Sequence, residues 1–203
     1  MLLKRAFDIA VSAAALLILS PLLAALAVAI VIDTGLPVFF TQERVGRAFH
    51  LFRLRKLRTM AAAAEGPLIT APGDIRVTRV GRFLRASKLD ELPQLWNVIC
   101  GEMSLVGPRP ELSCFVELFR ESYVPVLELR PGMTDVASLR YRREERALGG
   151  STDPVDEYVQ HILPEKIALA REYVRTRSFF GDLGILLRTF GAILAPRTPT
   201  KVR

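Results

Sequence analysis

AFDIAVSAAALLILSPLLAALAVAIVI, Ala6 to Ile32, is a run of 27 residues with one charge, Asp8. As a single helix it would be about 40 Å long, more than the ~30 Å of a bilayer's hydrocarbon core. A cleavable signal peptide fits poorly, because the apolar run is too long and no small-x-small site ends it. What remains is a helix held in a membrane. Two details argue against a simple span. Ser20-Pro21 lies near the middle, where proline removes a backbone hydrogen bond. It divides the run into 15 and 12 residues, about 22 and 18 Å, each too short to cross alone. Basic residues also flank both ends: Lys4 and Arg5 before it, and Arg44, Arg47, Arg53, Arg55, Lys56 and Arg58 after it. Because Lys and Arg favour the cytoplasmic side, a helix that enters, breaks at Ser20-Pro21 and returns satisfies both flanks. Proline is also tolerated in spanning helices, so these residues alone leave both arrangements open.

Outward from this run the chain changes character. Of its 203 residues, 28 are basic and 21 acidic, and residues 34–203 carry the whole net charge of +7. Arg outnumbers Lys 23 to 5, which suits bidentate recognition of phosphate. Half the residues are hydrophobic and 24% charged, a composition that excludes a disordered or low-complexity protein. Cys100 and Cys114 are too few for a disulfide framework and point to a reducing compartment. With His50 and His161 the only histidines, a zinc enzyme is not expected. The organisation is therefore a membrane helix over 1–33 and a basic domain over 34–203, without internal repeats or a second-domain linker.

Val38 to Phe40 and Phe49 to Leu57 read as strands, with Val45-Gly46-Arg47 in their connection. Arg76, Arg79, Arg82, Arg85 and Lys88 recur every third residue with no acid between them. On a helix they form one broad basic side. It suits an anionic lipid surface or a phosphorylated ligand, and equally an ordinary solvated face. Ser87 to Ile99 reads as a new helix capped by Ser87, with Asp90 and Glu91 in its first turn, Leu92, Leu95, Trp96 and Ile99 on its apolar face, and Gly101 at its end. Glu111 to Leu129 reads as a helix interrupted near Pro125, and Asp156 to Arg177 as a long amphipathic one. The apolar stretch Phe179 to Leu194 suits the membrane interface.

Acids in a first helical turn complement the helix dipole, which is the structural explanation of Asp90-Glu91. Two features pull the other way: the pair follows the basic stripe, and Arg109 sits close by in the rigid turn Gly107-Pro108-Arg109-Pro110. With a divalent cation, such a site would bind a diphosphate and present a carboxylate nucleophile to it. Arg109, fixed between prolines, is suited to aim a guanidinium at phosphate, or is simply an exposed turn charge. Asp182, a lone acid in an apolar stretch, is read either as a helix cap or as a supporting or metal acid near the membrane. His50 and His161 read as surface or packing residues and Trp96 as core. Walker A, Rossmann and His-Glu-x-x-His motifs are absent, and no nucleic-acid-binding module accompanies the basic stripe.

Lys88-Leu89-Asp90-Glu91-Leu92-Pro93-Gln94-Leu95-Trp96-Asn97-Val98, followed by Gly101-Glu102-Met103-Ser104-Leu105-Val106-Gly107-Pro108-Arg109-Pro110-Glu111, closely resembles the signature of the bacterial sugar transferases. These are the monotopic phosphoglycosyl transferases that start glycan assembly on polyprenyl phosphate. The resemblance extends to the Ser20-Pro21 pair, Lys56-Leu57-Arg58-Thr59-Met60, Arg130-Pro131-Gly132-Met133-Thr134 and Ser178-Phe179-Phe180-Gly181-Asp182-Leu183. It implies an α+β, predominantly helical fold with a re-entrant N-terminal helix, a small β-hairpin and amphipathic interfacial helices. The implied place is the cytoplasmic face of a bacterial inner membrane, among its lipids, in the minimal catalytic form of the family, with an oligomer compatible. By the same resemblance, Asp90 attacks the β-phosphate of a UDP-sugar and releases UMP, and polyprenyl phosphate then takes the phosphosugar. Mg²⁺ assists close to Asp90, with Glu91 completing the dyad. Lys56, Arg85 and Arg109 match the family's phosphate-contacting cations, Arg142 a nucleotide-side arginine and Asp182 a supporting acid. A non-catalytic module that binds anionic lipid through its arginines is the competing expectation.

Overall fold

The computed structural model describes residues 2–61, 66, 69–70, 73–141 and 154–194. Helix α1 (Leu2–Thr34) has Pro21 inside it and passes the length and hydropathy of a membrane span. A proline at position 21 leaves the carbonyl of Leu17 without its usual N–H partner. The hydroxyl of Ser20 donates to that carbonyl at 2.8 Å, so the chain stays helical through the pair. The middle of α1 is bare, with Leu17 and Ile18 exposed, whereas both ends rest on the rest of the protein. Near the start, Arg5 donates to the carbonyls of Val98 and Ile99, and the buried Asp8 accepts from Ser104 Oγ at 2.7 Å. Near the other end, Leu26 and Ile30 pack with Leu57 and Leu84. There Asp33 accepts from the amide of Val80, and Thr34 Oγ1 from the buried Arg58.

Strands β1 (Phe39–Val45) and β2 (Leu51–Leu57) form an antiparallel hairpin running from Phe39 opposite Leu57 to Val45 opposite Leu51. The first strand is longer than its sequence suggests. Thr41 to Arg44 lack apolar alternation and are held in the strand by their partners in β2. Phe49 belongs to the turn and not to a strand, because Ala48 and Phe49 both take positive φ. Along β2, Phe52 and Leu54 point into the core, and Lys56 shares their side of the pleat.

The basic stripe is only partly helical. Helix α2 (Arg79–Ser87) is capped by Thr78, whose side chain accepts from Gly81 N. Arg76 lies before it, tied to Asp74, and Lys88 lies after it at φ 61°. The expected helix from Ser87 is not formed. Ser87 ends α2 and its hydroxyl donates back to the carbonyls of Phe83 and Leu84. Leu89–Glu91 is a 3₁₀ turn, and α3 (Gln94–Cys100) starts after Pro93 and stops at Gly101, φ 86°. Trp96 is half exposed and not core. The buried face of α3 is Gln94, Leu95, Asn97 and Val98, because Asn97 hydrogen-bonds both Arg55 N and Arg53 O of β2 and turns the helix with it.

Short parallel strands β3 (Ser104–Val106) and β4 (Gly132–Thr134) follow, joined through three short helical pieces. These are α4 (Ser113–Leu118), α5 (Arg120–Tyr123) and a 3₁₀ turn at Val126–Glu128, in place of one interrupted helix. A Cβ at Gly132 would collide with the backbone of Gly107, so this close approach requires glycine. After α6 (Val136–Arg140) come α7 (Pro154–Glu157), a π-helical segment Tyr158–Ile162 and α8 (Leu163–Thr176). The wider π turn ends two residues before Pro164, which has no N–H to close an α turn there. Helix α9 (Phe179–Leu194) has the expected bounds, and Phe180, Leu187 and Phe190 stand exposed along it. The whole is α+β and predominantly helical.

Candidate active site

The αL residue Lys88 ends α2 and starts the 3₁₀ turn that carries Asp90 and Glu91. Lys56 reaches the turn from the inward side of β2. Arg109 reaches it from the loop after β3, a loop fixed by backbone bonds from Gly107 N to Thr134 O and from Gly132 N to Pro108 O. The amide of Arg109 itself donates to Asp135 Oδ2. Both cations converge on one oxygen, Glu91 Oε1, at 2.7 Å from Arg109 Nη2 and 3.3 Å from Lys56 Nζ. Asp90 is 6% exposed, and its Oδ1 has no hydrogen-bond partner among the described residues.

The two acids of the dyad therefore differ electrostatically. Burial pushes the Asp90 carboxyl above the ordinary range and the neighbouring Glu91 charge adds to this, against Lys56, Lys88 and Arg85. Burial acts on Glu91 in the same direction but is outweighed by Arg109, Lys56 and Lys88, which hold it well below its usual value. Burial also lowers the Lys56 ammonium, with Glu91 opposing. The arrangement is one carboxylate committed to cations beside one buried carboxylate with an oxygen to spare.

Arg85 lies on α2 and donates through Nε to Thr59 Oγ1 at 3.0 Å. Arg142 falls outside the described residues. Asp182 is brought elsewhere. It pairs with Lys4 and accepts from Tyr173 OH at 2.7 Å, joining α9 to α8 and the start of α1. It is not a helix cap, since it lies inside α9. Among the described residues no group of three His, Cys, Asp or Glu could enclose a metal ion. The orphaned Asp90 Oδ1 beside Glu91 instead suits an ion such as Mg²⁺, which takes one or two carboxylates and completes its shell with phosphate oxygens and water.

Sequence reasoning missed the wall of a cleft of about 150 Å³ that Lys56 and Arg109 share with Arg44, Gln94, Glu111, Tyr158 and Lys166. Glu111 follows the Pro-clamped turn directly, a signal within reach. Tyr158 and Lys166 arrive from a distant part of the chain and carried none.

The family described as bacterial sugar transferase matches residues 1–196. The chain is 38% identical over 196 residues to the UDP-glucose:undecaprenyl-phosphate glucose-1-phosphate transferase of Caulobacter vibrioides, covering 94% of this chain and 69% of that protein. It is 36% identical over 197 residues to the UDP-N-acetylgalactosamine-undecaprenyl-phosphate N-acetylgalactosaminephosphotransferase of Aeromonas hydrophila, covering 95% of this chain and 44% of that protein. With the exopolysaccharide production protein PSS of Rhizobium leguminosarum bv. phaseoli it shares 36% identity over 211 residues, 99% and 98% of the two chains. The chain thus spans nearly all of one relative and less than half of another.

Proposed function

The chain belongs to the bacterial sugar transferase family, and on that premise we propose that it transfers a phosphosugar from a UDP-sugar to polyprenyl phosphate. The reading takes its donor and acceptor from the names of the relatives. The observation that carries it is the buried Asp90 carboxylate with an oxygen unpartnered among the described residues, next to a Glu91 already committed to Lys56 and Arg109.

An Asp90 oxygen attacks the β-phosphorus, the bond from that phosphorus to the bridging oxygen breaks, and UMP leaves with the electron pair. A phosphate oxygen of polyprenyl phosphate then attacks the same phosphorus and displaces Asp90, forming polyprenyl diphosphate sugar. Splitting the reaction lets UMP depart before the second anion arrives. Lys56 and Arg109 hold donor phosphate oxygens, and Glu91 keeps both cations in place between turnovers. Arg85, oriented by Thr59, serves as a further phosphate cation. Asp90 would hold Mg²⁺ through its spare oxygen, and the ion would supply neutralisation of the diphosphate charge.

The docking of both ends of α1 on one body, with a bare middle, supports a re-entrant helix broken in its hydrogen bonding at Ser20-Pro21. That arrangement sets the dyad at headgroup level on the cytoplasmic face of the inner membrane, where the lipid phosphate lies. Asp182 supports the site from a distance by clamping Lys4, and with it the start of α1.

The test is to incubate the detergent-purified protein with Mg²⁺, undecaprenyl phosphate and a panel of UDP-sugars, quantifying UMP and UDP separately. UMP from one sugar, lost in Asp90→Asn, supports the reading and names the donor. Release of UDP, or full activity in the variant, refutes it. Silence across the panel with salt-dependent liposome binding favours an anionic-lipid module.

A further inference from the structure

The cleft beside the dyad is lined by buried donors that the described residues leave unsatisfied. Gln94 lines it, is 2% exposed, and leaves its Nε2 without a partner among the described residues. Arg44 lines it too. Its Nη1 donates to Glu111 Oε1 at 2.9 Å and its Nη2 to Gln42 Oε1 at 2.8 Å, while the buried Nε has no partner among the described residues. Glu111, the one carboxylate among the described lining residues, is already engaged: Oε1 accepts from Arg44 and from Leu112 N, and Oε2 from Tyr158 OH at 2.6 Å. Lys56 and Arg109 close the end nearest the dyad.

A sugar hydroxyl both donates and accepts, so a pocket for it needs acceptors. A phosphate diester or monoester dianion only accepts. Two buried donors without partners among the described residues, next to two cations and with the lining carboxylate Glu111 already engaged, match the second kind of group. We propose that Gln94 and Arg44 bind the donor's non-transferred phosphate, the α-phosphate that leaves as part of UMP, through the carboxamide N–H₂ and the guanidinium Nε–H. This assignment rests on the UDP-sugar reading above. It makes Gln94 a substrate-binding residue and gives the cleft to the leaving group rather than to the sugar.

UMP and uridine are the probes, since they differ by the phosphate alone. Direct binding of each to the full-length detergent-solubilised protein with Mg²⁺ is measured for wild type, Gln94→Glu and Gln94→Met, with thermal unfolding as the fold control. Gln94→Glu keeps the shape and removes the N–H₂. Loss of a hydrogen bond to a charged group predicts UMP affinity weakened about tenfold or more in Gln94→Met, and further in Gln94→Glu. Uridine affinity stays within about twofold, a split that a merely structural role would not produce. Unchanged UMP binding in folded Gln94→Glu, or equal losses for UMP and uridine, overturns the assignment. Exchange of labelled UMP into the UDP-sugar without lipid acceptor tests the parent reading separately. Gln94-dependent UMP binding without exchange sinks the reaction and leaves the phosphate subsite standing.

Discussion

Replacing Glu91 by Gln removes one negative charge that two cations share through a single oxygen. At separations of 2.7 and 3.3 Å, the gross attractions at an effective dielectric of 20 are about 6 and 5 kcal/mol. Most of that is cancelled by the desolvation of three charges, and the side chains retain some exposure, 13% for Glu91, 33% for Arg109 and 23% for Lys56. A net loss of about 3 kcal/mol, the lower end for breaking a buried pair, is expected. For a domain of this size that lowers the apparent Tm by about 6–12 °C. The assay is thermal unfolding of the detergent-solubilised protein with and without UMP or pyrophosphate. Because the uncovered cations then seek another anion, either ligand should raise the Tm of Glu91→Gln by more than that of wild type. An unchanged Tm with equal ligand shifts in both proteins would refute the idea that Glu91 occupies the cations between turnovers.

The remaining outcomes concern the dyad, α1 and α3. In the metal-free protein burial raises the Asp90 pKa, so its carboxyl should take up a proton while the pH is still above the ordinary ~4 of an aspartate. Carboxyl-carbon NMR titration without Mg²⁺ checks this; protonation confined to below pH ~4 contradicts it. The stability signs of the two acids are opposite. Glu91, depressed, contributes stability above its unfolded pKa and loses it as the pH falls through its folded value, whereas Asp90, raised, costs stability at neutral pH and relaxes as it protonates. Pro21→Ala restores an N–H for the Leu17 carbonyl now served by Ser20, so on the re-entrant reading the helix should span instead and place its two flanks on opposite faces. Labelling of single cysteines near residues 2 and 35 in inverted vesicles reads this, and unchanged accessibility argues against re-entry. Asn97→Leu leaves Arg55 N and Arg53 O without their partner in a fully buried site, costing about 2–4 kcal/mol by thermal unfolding.

How much of this was legible in advance varies by kind of interaction. The apolar run, the Ser20-Pro21 pair and the bounds of α9 follow from local composition, because a continuous hydrophobic stretch has few ways to be satisfied. The dyad and Arg109 stood out through spacing and turn chemistry. Trp96 was misplaced because helix α3 is rotated by the buried hydrogen bonds of Asn97, which a count of apolar residues does not register. Ser87 was misplaced because Lys88 takes a positive φ that no residue type announces as glycine would.

Hydrophobicity, charge and proline act over a few residues, so a long apolar helix, a basic remainder, an acidic pair and a clamped arginine can all be read from the chain. Which carboxylate is committed and which is spare is settled only by packing. That difference arises where β2, the turn after α2 and the loop after β3 converge, bringing Lys56 and Arg109 onto Glu91 and leaving Asp90 buried beside them. Tyr158 and Lys166 joined the same cleft only through the packing of distant segments. Convergence across 35 residues to Lys56 and 18 to Arg109 has no local signature, because its energy comes from contacts that exist only once the chain has folded.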